Sequence, residues 1–339
     1  MSIKYKLTII IALLYAFPLF SAPFIPIDSV TVPIYSYFDK GESQRYVITQ
    51  GKMKYKGETP TDSSETKRTI TLTVVDSTTE GYVLEVFDES FENDASGVKA
   101  LDKMINDRKM RTMMTQYANF KLRFQITLDG EFKGFENMDS LIQLSQNMAD
   151  FLLKDVGKDK KTQKIMGEIS KTLLSPQVIN EKLGAPFRQM FFYHGAEFMA
   201  DTTIYFDDEL ENFLVPDGKP FPTSASVLYS YDETDSTYIN IEQMSEPDGE
   251  AITEAVVSWL KKIAPKDKHA EIEKMHLSVF DHLNMEIHQP SGWMTYLFKK
   301  RTTTATEDGK VDEDNASVDY LEIEIIPKDE EKEDKKGKN

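Results

Sequence analysis

The chain has no cysteine. That excludes disulfides, thiolate metal sites, a cysteine nucleophile and a lipid carried on cysteine. A chain of 339 residues can bury a sufficient core without such staples. Basic charge is in short supply, with 40 Lys and Arg against 57 Asp and Glu, a net charge of −17. An acidic body repels phosphate backbones, so nucleic acid is not expected as a partner. Long apolar runs are also scarce: only Leu7 to Phe20 is continuous enough to notice, and it is shorter than the roughly 20 residues a spanning helix needs. Motifs that carry chemistry are missing as well. There is no Gly-x-Ser-x-Gly elbow, His-Glu-x-x-His, phosphate loop or Gly-x-Gly-x-x-Gly. The sequence predicts no cofactor, no metal and no catalytic residue.

What is present at the start is an export signal. Lys4 and Lys6 precede the apolar run, Ser21 and Ala22 are small, and Pro23 follows. This is the layout of a cleaved secretory peptide over 1–22, with Pro18 disfavouring a retained spanning helix. Cleavage removes two lysines and takes the net charge from −17 to about −19. The expected location is the periplasm, the cell surface or the extracellular space, with no membrane span after cleavage. Residues 327–339 carry five basic and five acidic side chains and nothing apolar beyond Pro327, so a disordered charged tail is expected there.

Between the ends, period-two alternation marks strands. Ile70, Leu72 and Val74 share one face; so do Leu122, Phe124, Ile126 and Leu128; Leu283, Met285 and Ile287; and Leu321, Ile323 and Ile325. One buried and one wet face is the habit of antiparallel sheets. Helical spacing covers Ser96–Asn119, Asp139–Val156, Thr162–Leu174 and Ala251–Ile263. Ser175-Pro176 opens a further short helix that Gly184 is expected to end.

The order of elements repeats. Val75–Tyr82 and Tyr231–Tyr238 share Asp, Thr and Tyr at the same mutual spacing, each between two strands. A helix follows each, then Leu122-x-Phe124-x-Ile126 or Leu283-x-Met285-x-Ile287. A turn with Gly130 or Gly292 and an aromatic strand start, Phe132 or Trp293, closes the unit. The predicted fold is α+β, predominantly antiparallel β-sheets in two similar β-rich halves, with helices inserted between and within them. The halves are 23–137 and 187–326, joined by a helical linker over 138–186.

Phe124-Gln-Ile-Thr-Leu-Asp-Gly-Glu-Phe, Leu174-Ser-Pro-Gln-Val-Ile, Pro186-Phe-Arg-Gln-Met-Phe-Phe-Tyr-His-Gly and Gln289-Pro-Ser-Gly-Trp-Met resemble an uncharacterised secreted β-rich family of Bacteroidota with two β-rich halves. Where its members often show Gly-Asp-x-Trp, this chain reads Ala200-Asp201-Thr202-Thr203. The resemblance implies export and no particular activity.

Candidate sites follow from residue type alone. Phe187, Phe191, Phe192 and Tyr193 crowd one stretch, and with Trp293 they are the candidate ligand-lining aromatics. His282, Glu286 and His288 lie on one strand face, but His282 and His288 are about 20 Å apart there, too far for one ion. Asp308, Asp312, Glu313 and Asp314 lack the glycine a calcium loop needs at its sixth position. The expected function is a non-enzymatic binding or carrier protein of the envelope for a lipid, a glycan or another small ligand. A hydrolase using paired carboxylates and an envelope protein–protein interaction module are the alternatives.

Overall fold

The structure, a computed structural model, describes residues 32–56, 59–89, 119–153, 175–210, 219–307 and 316–327. Strands dominate and the described pairings are antiparallel. The chain forms two compact units. The first takes 1–35, 48–67 and 195–324, the second 36–47, 68–194 and 325–339. The predicted helices at Ser96–Asn119 and Thr162–Leu174 lie outside the described residues apart from Asn119, as do the signal, the charged tail and the Asp308–Asp314 cluster. Among the described residues no helix is long and apolar enough to cross a membrane.

The first unit is built on hairpins. β1 (Val32–Pro33) pairs with β7 (Glu197–Phe198). Parts of β2 (Ser43–Lys56) and β3 (Thr59–Ser77) join β8 (Thr202–Leu210), β9 (Phe221–Tyr231), β10 (Tyr238–Pro247), β11 (Met275–His288), β12 (Trp293–Glu307) and β13 (Ala316–Ile326). Their order is β3-β2-β13-β12-β11-β10-β9-β8. Asp232 and Asp235 shape the β9–β10 turn, their carboxylates accepting from the backbone N–H of Thr234, Asp235 and Thr237. The β11–β12 hairpin keeps register from Met275↔Glu307 to His288↔Trp293 with one shift at Glu286/Ile287.

α3 (Gly249–Ile263) covers one end of this sheet. Asp248 caps it, accepting from the N–H of Glu250 at 2.8 Å and Ala251 at 3.0 Å. Lys261 and Lys262 sit in the last turn, where cations suit the helix dipole. Its Ile252, Val256 and Leu260 pack with Leu210, Phe221, Ile272, Leu277, Val279 and Ala305; Ile272 comes from the one-turn helix α4 (His269–Ile272).

The second unit orders its strands β6-β5-β4-β3-β2, with β4 Gly81–Asp88, β5 Leu122–Thr127 and β6 Phe132–Phe135. Ile70, Leu72, Val74, Phe124 and Ile126 are buried as their alternation predicts. Leu128 is not: it is 41% exposed, because β5 ends at Thr127 and the chain turns through Gly130. α1 (Met138–Leu153) carries Asp139 in its first turn and buries Leu141.

α2 (Pro176–Phe191) corrects one expectation. Pro176 starts it, but the helix runs past Gly184. That glycine serves close approach rather than termination. A Cβ there would meet the Phe132 ring at 3.1 Å and Arg188 Nη1 at 2.8 Å, and Arg188 also lies over the Phe132 ring.

Both units contain the succession hairpin, antiparallel strand, glycine turn, aromatic-led strand. β3–β4–β5–β6 and β9–β10–β11–β12 each pair in sequence. Gly130 and Gly292 both adopt left-handed backbone, φ 75° and 72°. The shared aspartates act differently, however. Asp76 bonds Lys40, whereas Asp232 shapes its own turn.

Candidate functional site

The register of β11, β12 and β13 lays the buried face of the first unit out in rows. Met285, Leu297 and Ile323 form one row, and Leu283, Lys299 and Leu321 the next. Asp281, Arg301 and Asp319 follow, and beyond them Val279, Thr303 and Ser317. Every one of these side chains is buried. On β10, Gln243 stands opposite Leu283 and Ser245 opposite Asp281, and both are buried. A band of charge thus crosses this face, with an apolar row on one side and a row of one valine and two hydroxyl residues on the other.

Arg301 is held between two aspartates. It donates through Nε and Nη2 to both oxygens of Asp281, at 2.7 and 2.5 Å, with each side chain about one-twentieth exposed. This fork-to-fork geometry is the strong form of the pair. Burial works against the charge of Arg301, but Asp281 and Asp319 outweigh it and hold its pKa above the ordinary value. Asp319 is pushed up to about 6, because burial disfavours its carboxylate more than Lys52 and Arg301 favour it.

Lys299 is 1% exposed. Its pKa falls to about 8, first through burial and then through Arg301, with Asp281 opposing. Lys52, half-buried on β2, is also lowered, chiefly by burial, with Asp319 opposing. Three cations therefore share this band with two carboxylates. Strongly shifted groups gathered at one place mark a candidate functional site, since apolar side chains often match the stability of buried ion pairs.

A second buried carboxylate shows the contrast. Glu85 on β4 pairs with Lys121 at 2.7 Å and Arg123 at 2.8 Å, both partners half exposed. Burial works against its charge, and the two cations outweigh that and keep its pKa low. It is a carboxylate satisfied by two cations.

The aromatic residues singled out from the sequence fall into both units. Phe187, Phe191, Tyr193 and Trp293 are buried, and Phe192 is partly so. Phe187 stacks on Phe124 at 4.8 Å, and Phe191 packs on Phe124 at 6.3 Å and Phe38 at 6.0 Å. Phe192 meets Tyr193 edge to face. These belong to the second unit, whereas Trp293 begins β12 in the first. Phe187 and Phe191 meet on the Phe124 ring, and Phe192 and Tyr193 meet each other.

The strand histidines are each engaged locally. His282 Nε2 lies 2.8 Å from Glu242 and His288 Nδ1 lies 2.8 Å from Ser291 Oγ, while Thr295 bonds Glu286. Among the described residues no three of His, Asp and Glu gather as a metal-holding group. An open recess of about 800 Å³ is lined by Asp207, Asp208, Glu209, Glu246 and Asp248. Of these Asp248 is already the α3 cap.

The charged band was not singled out in the sequence. Its signal was parity: Leu297, Lys299, Arg301, Thr303 and Ala305 keep one face along β12, with an apolar residue at each end. Compared with protein-family models and with curated proteins, the chain matches none.

Proposed function

We propose that this is an exported, non-enzymatic binding or carrier protein of the cell envelope that holds a small ligand on the charged face of its first unit. The observation that carries the reading is the band itself: Lys299, Arg301, Asp281 and Asp319 buried together on one face of β11, β12 and β13. Replacing buried ion pairs by apolar residues is often neutral or stabilising, so five charges on a sheet face ask for a use. The same geometry disfavours Asp281 and Asp319 as a hydrolytic pair, because Arg301 occupies both oxygens of Asp281. Export rests on Lys4, Lys6 and the run to Ala22. The matching strand succession and the two left-handed glycines support a chain of two related β-rich halves, in keeping with the secreted Bacteroidota family it resembles. The test is native mass spectrometry of protein purified from its own envelope. A bound small molecule, lost from the Lys299→Met variant while that variant stays folded, is the expected result. Protein that is bare in every preparation would overturn the proposal.

A further inference from the structure

We infer that the open edge of β8 docks an extended basic segment of a partner protein, which adds to the sheet of the first unit as one more strand. The surface lies on β8, β9 and β10, and the inference does not rest on the small-ligand reading above.

Backbone is the first argument. β8 is the last strand of its sheet, and among the described residues it pairs with β9 alone. Its nine residues hold unbroken register from Thr202↔Tyr229 to Leu210↔Phe221. Edge strands are normally blunted by shortness, a bulge, proline or lysine. β8 has none of these. The last strand of the second unit, β6, is by contrast four residues long with a register shift beside it. A long, regular edge with one row of main-chain groups turned outward is the template for strand addition. The N–H of Glu209 is already taken by Asp208 Oδ1 at 2.8 Å, so main-chain pairing runs along Thr202–Asp208.

Charge decides the occupant. Thr203, Tyr205, Asp207 and Glu209 share one face of β8, and all four are exposed. Asp207 lies in a row with Ser224 of β9 and Glu246 of β10. The recess of about 800 Å³ beside them is lined by five carboxylates and, among the described residues, by no cation. Lys219, just ahead of β9, is one charge against those five. The next row on this face runs Tyr205, Ser226, Met244, His282, Lys300. Its two basic residues stand three and four strands in from the edge, about 14 and 19 Å away, and His282 contacts Glu242. A further strand therefore meets a negative surface. Lysines at alternate positions of that strand fall opposite Asp207 and Glu209, about 7 Å apart.

The neighbouring side chains agree. Tyr205 is 80% and Met244 39% exposed, in the row beside Asp207 and Glu246. They suit the aliphatic stems of the same lysines, and the Tyr205 ring also attracts an ammonium group. An acidic segment would be repelled, and a second copy of β8 would bring its own Asp207–Glu209 run to the same edge.

The experiment is fluorescence anisotropy with the full mature chain and labelled peptides of the length of β8. One peptide alternates lysine with threonine or valine. The second has glutamate in place of lysine. The third is the lysine peptide with every backbone nitrogen methylated, which keeps the charges and removes the main-chain donors. The lysine peptide should bind about tenfold more tightly than either of the others, and its affinity should fall as salt rises. Unlabelled spermine should not displace it. The double variant Asp207→Asn, Glu209→Gln should bind it about fivefold more weakly, and both positions are exposed, where such changes leave folding intact. Equal binding by the glutamate or the methylated peptide, displacement by spermine at equal affinity, or full affinity in the double variant would each overturn the inference. So would failure of the lysine peptide to bind, whether the chain is then monomeric or dimeric through this edge.

Discussion

Replacing Lys299 with Met should make the protein more stable. The side chain is 1% exposed, and its pKa is lowered from 10.5 to about 8. A shift of that size means the fold disfavours the charged form by about 3 kcal/mol, at 1.36 kcal/mol per pKa unit. Met fills nearly the same volume without charge. Its loss of hydrogen bonding takes back about 1 kcal/mol, leaving a net gain of about 2 kcal/mol near pH 7. The sign with pH follows from the direction of the shift. The penalty is fully present below pH 8 and lifts between pH 8 and 10.5 as the folded state sheds the proton before the unfolded chain does. Wild-type stability should therefore gain a component over that range that Lys299→Met lacks. Urea titrations at pH 7 and pH 9.5 measure both, read as midpoint shifts at constant slope. A loss of 2 kcal/mol or more at pH 7 would refute the reasoning. Lys299 would then be a net structural cross-link, and the argument that the band exists for a ligand would go with it.

Asp319→Asn tests the other shifted group. Its raised pKa, about 6, means the ionised form costs the fold stability, a cost that grows as pH rises from 3.8 to 6; the Asn variant should lose that downward component, measured by thermal melts from pH 4 to 7. Gly184→Ala should destabilise by about 1–3 kcal/mol by denaturant titration, since the Phe132 ring cannot yield as freely as Arg188. An unchanged or raised midpoint would mean the gain in helix propensity, about 1 kcal/mol, outweighs the contact. N-terminal sequencing of protein from its own host should begin within a few residues of Pro23, and Met1 on the mature chain would remove the export claim.

Strands were legible where apolar residues alternate. Ile70, Leu72 and Val74 in β3, and Leu283, Met285 and Ile287 in β11, are buried as their spacing indicates. The second half of β12 was opaque because Lys299, Arg301 and Thr303 occupy the inward positions. Lys299-Lys300-Arg301 reads as a solvated basic run by composition, and only the partners on β11 and β13 change its meaning. The site was therefore invisible to any argument that sorts residues by polarity. Gly184 misled for a related reason. A glycine near a helix end usually terminates it, and only the Phe132 ring, 52 residues earlier, accounts for it here.

The Asp281–Arg301–Asp319 row also decides how the sheet assembles. A slip of one residue turns every side chain of a strand to the other face, and burial forbids it. A slip of two residues keeps each side chain on its face and sets one aliphatic residue in place of another. Between those two alignments the apolar pattern along β12 discriminates weakly. Charge does not. With β12 displaced by two so that Arg301 faces Leu283, Asp281 would face Thr303 and lose its cation in a dry interior, a cost of several kcal/mol; displaced the other way, Arg301 would face Val279 and Asp281 would exchange the forked guanidinium for Lys299. The row acts as a key cut into a greasy surface. It rejects the alternative alignment while the strands are pairing, whether or not a ligand is bound.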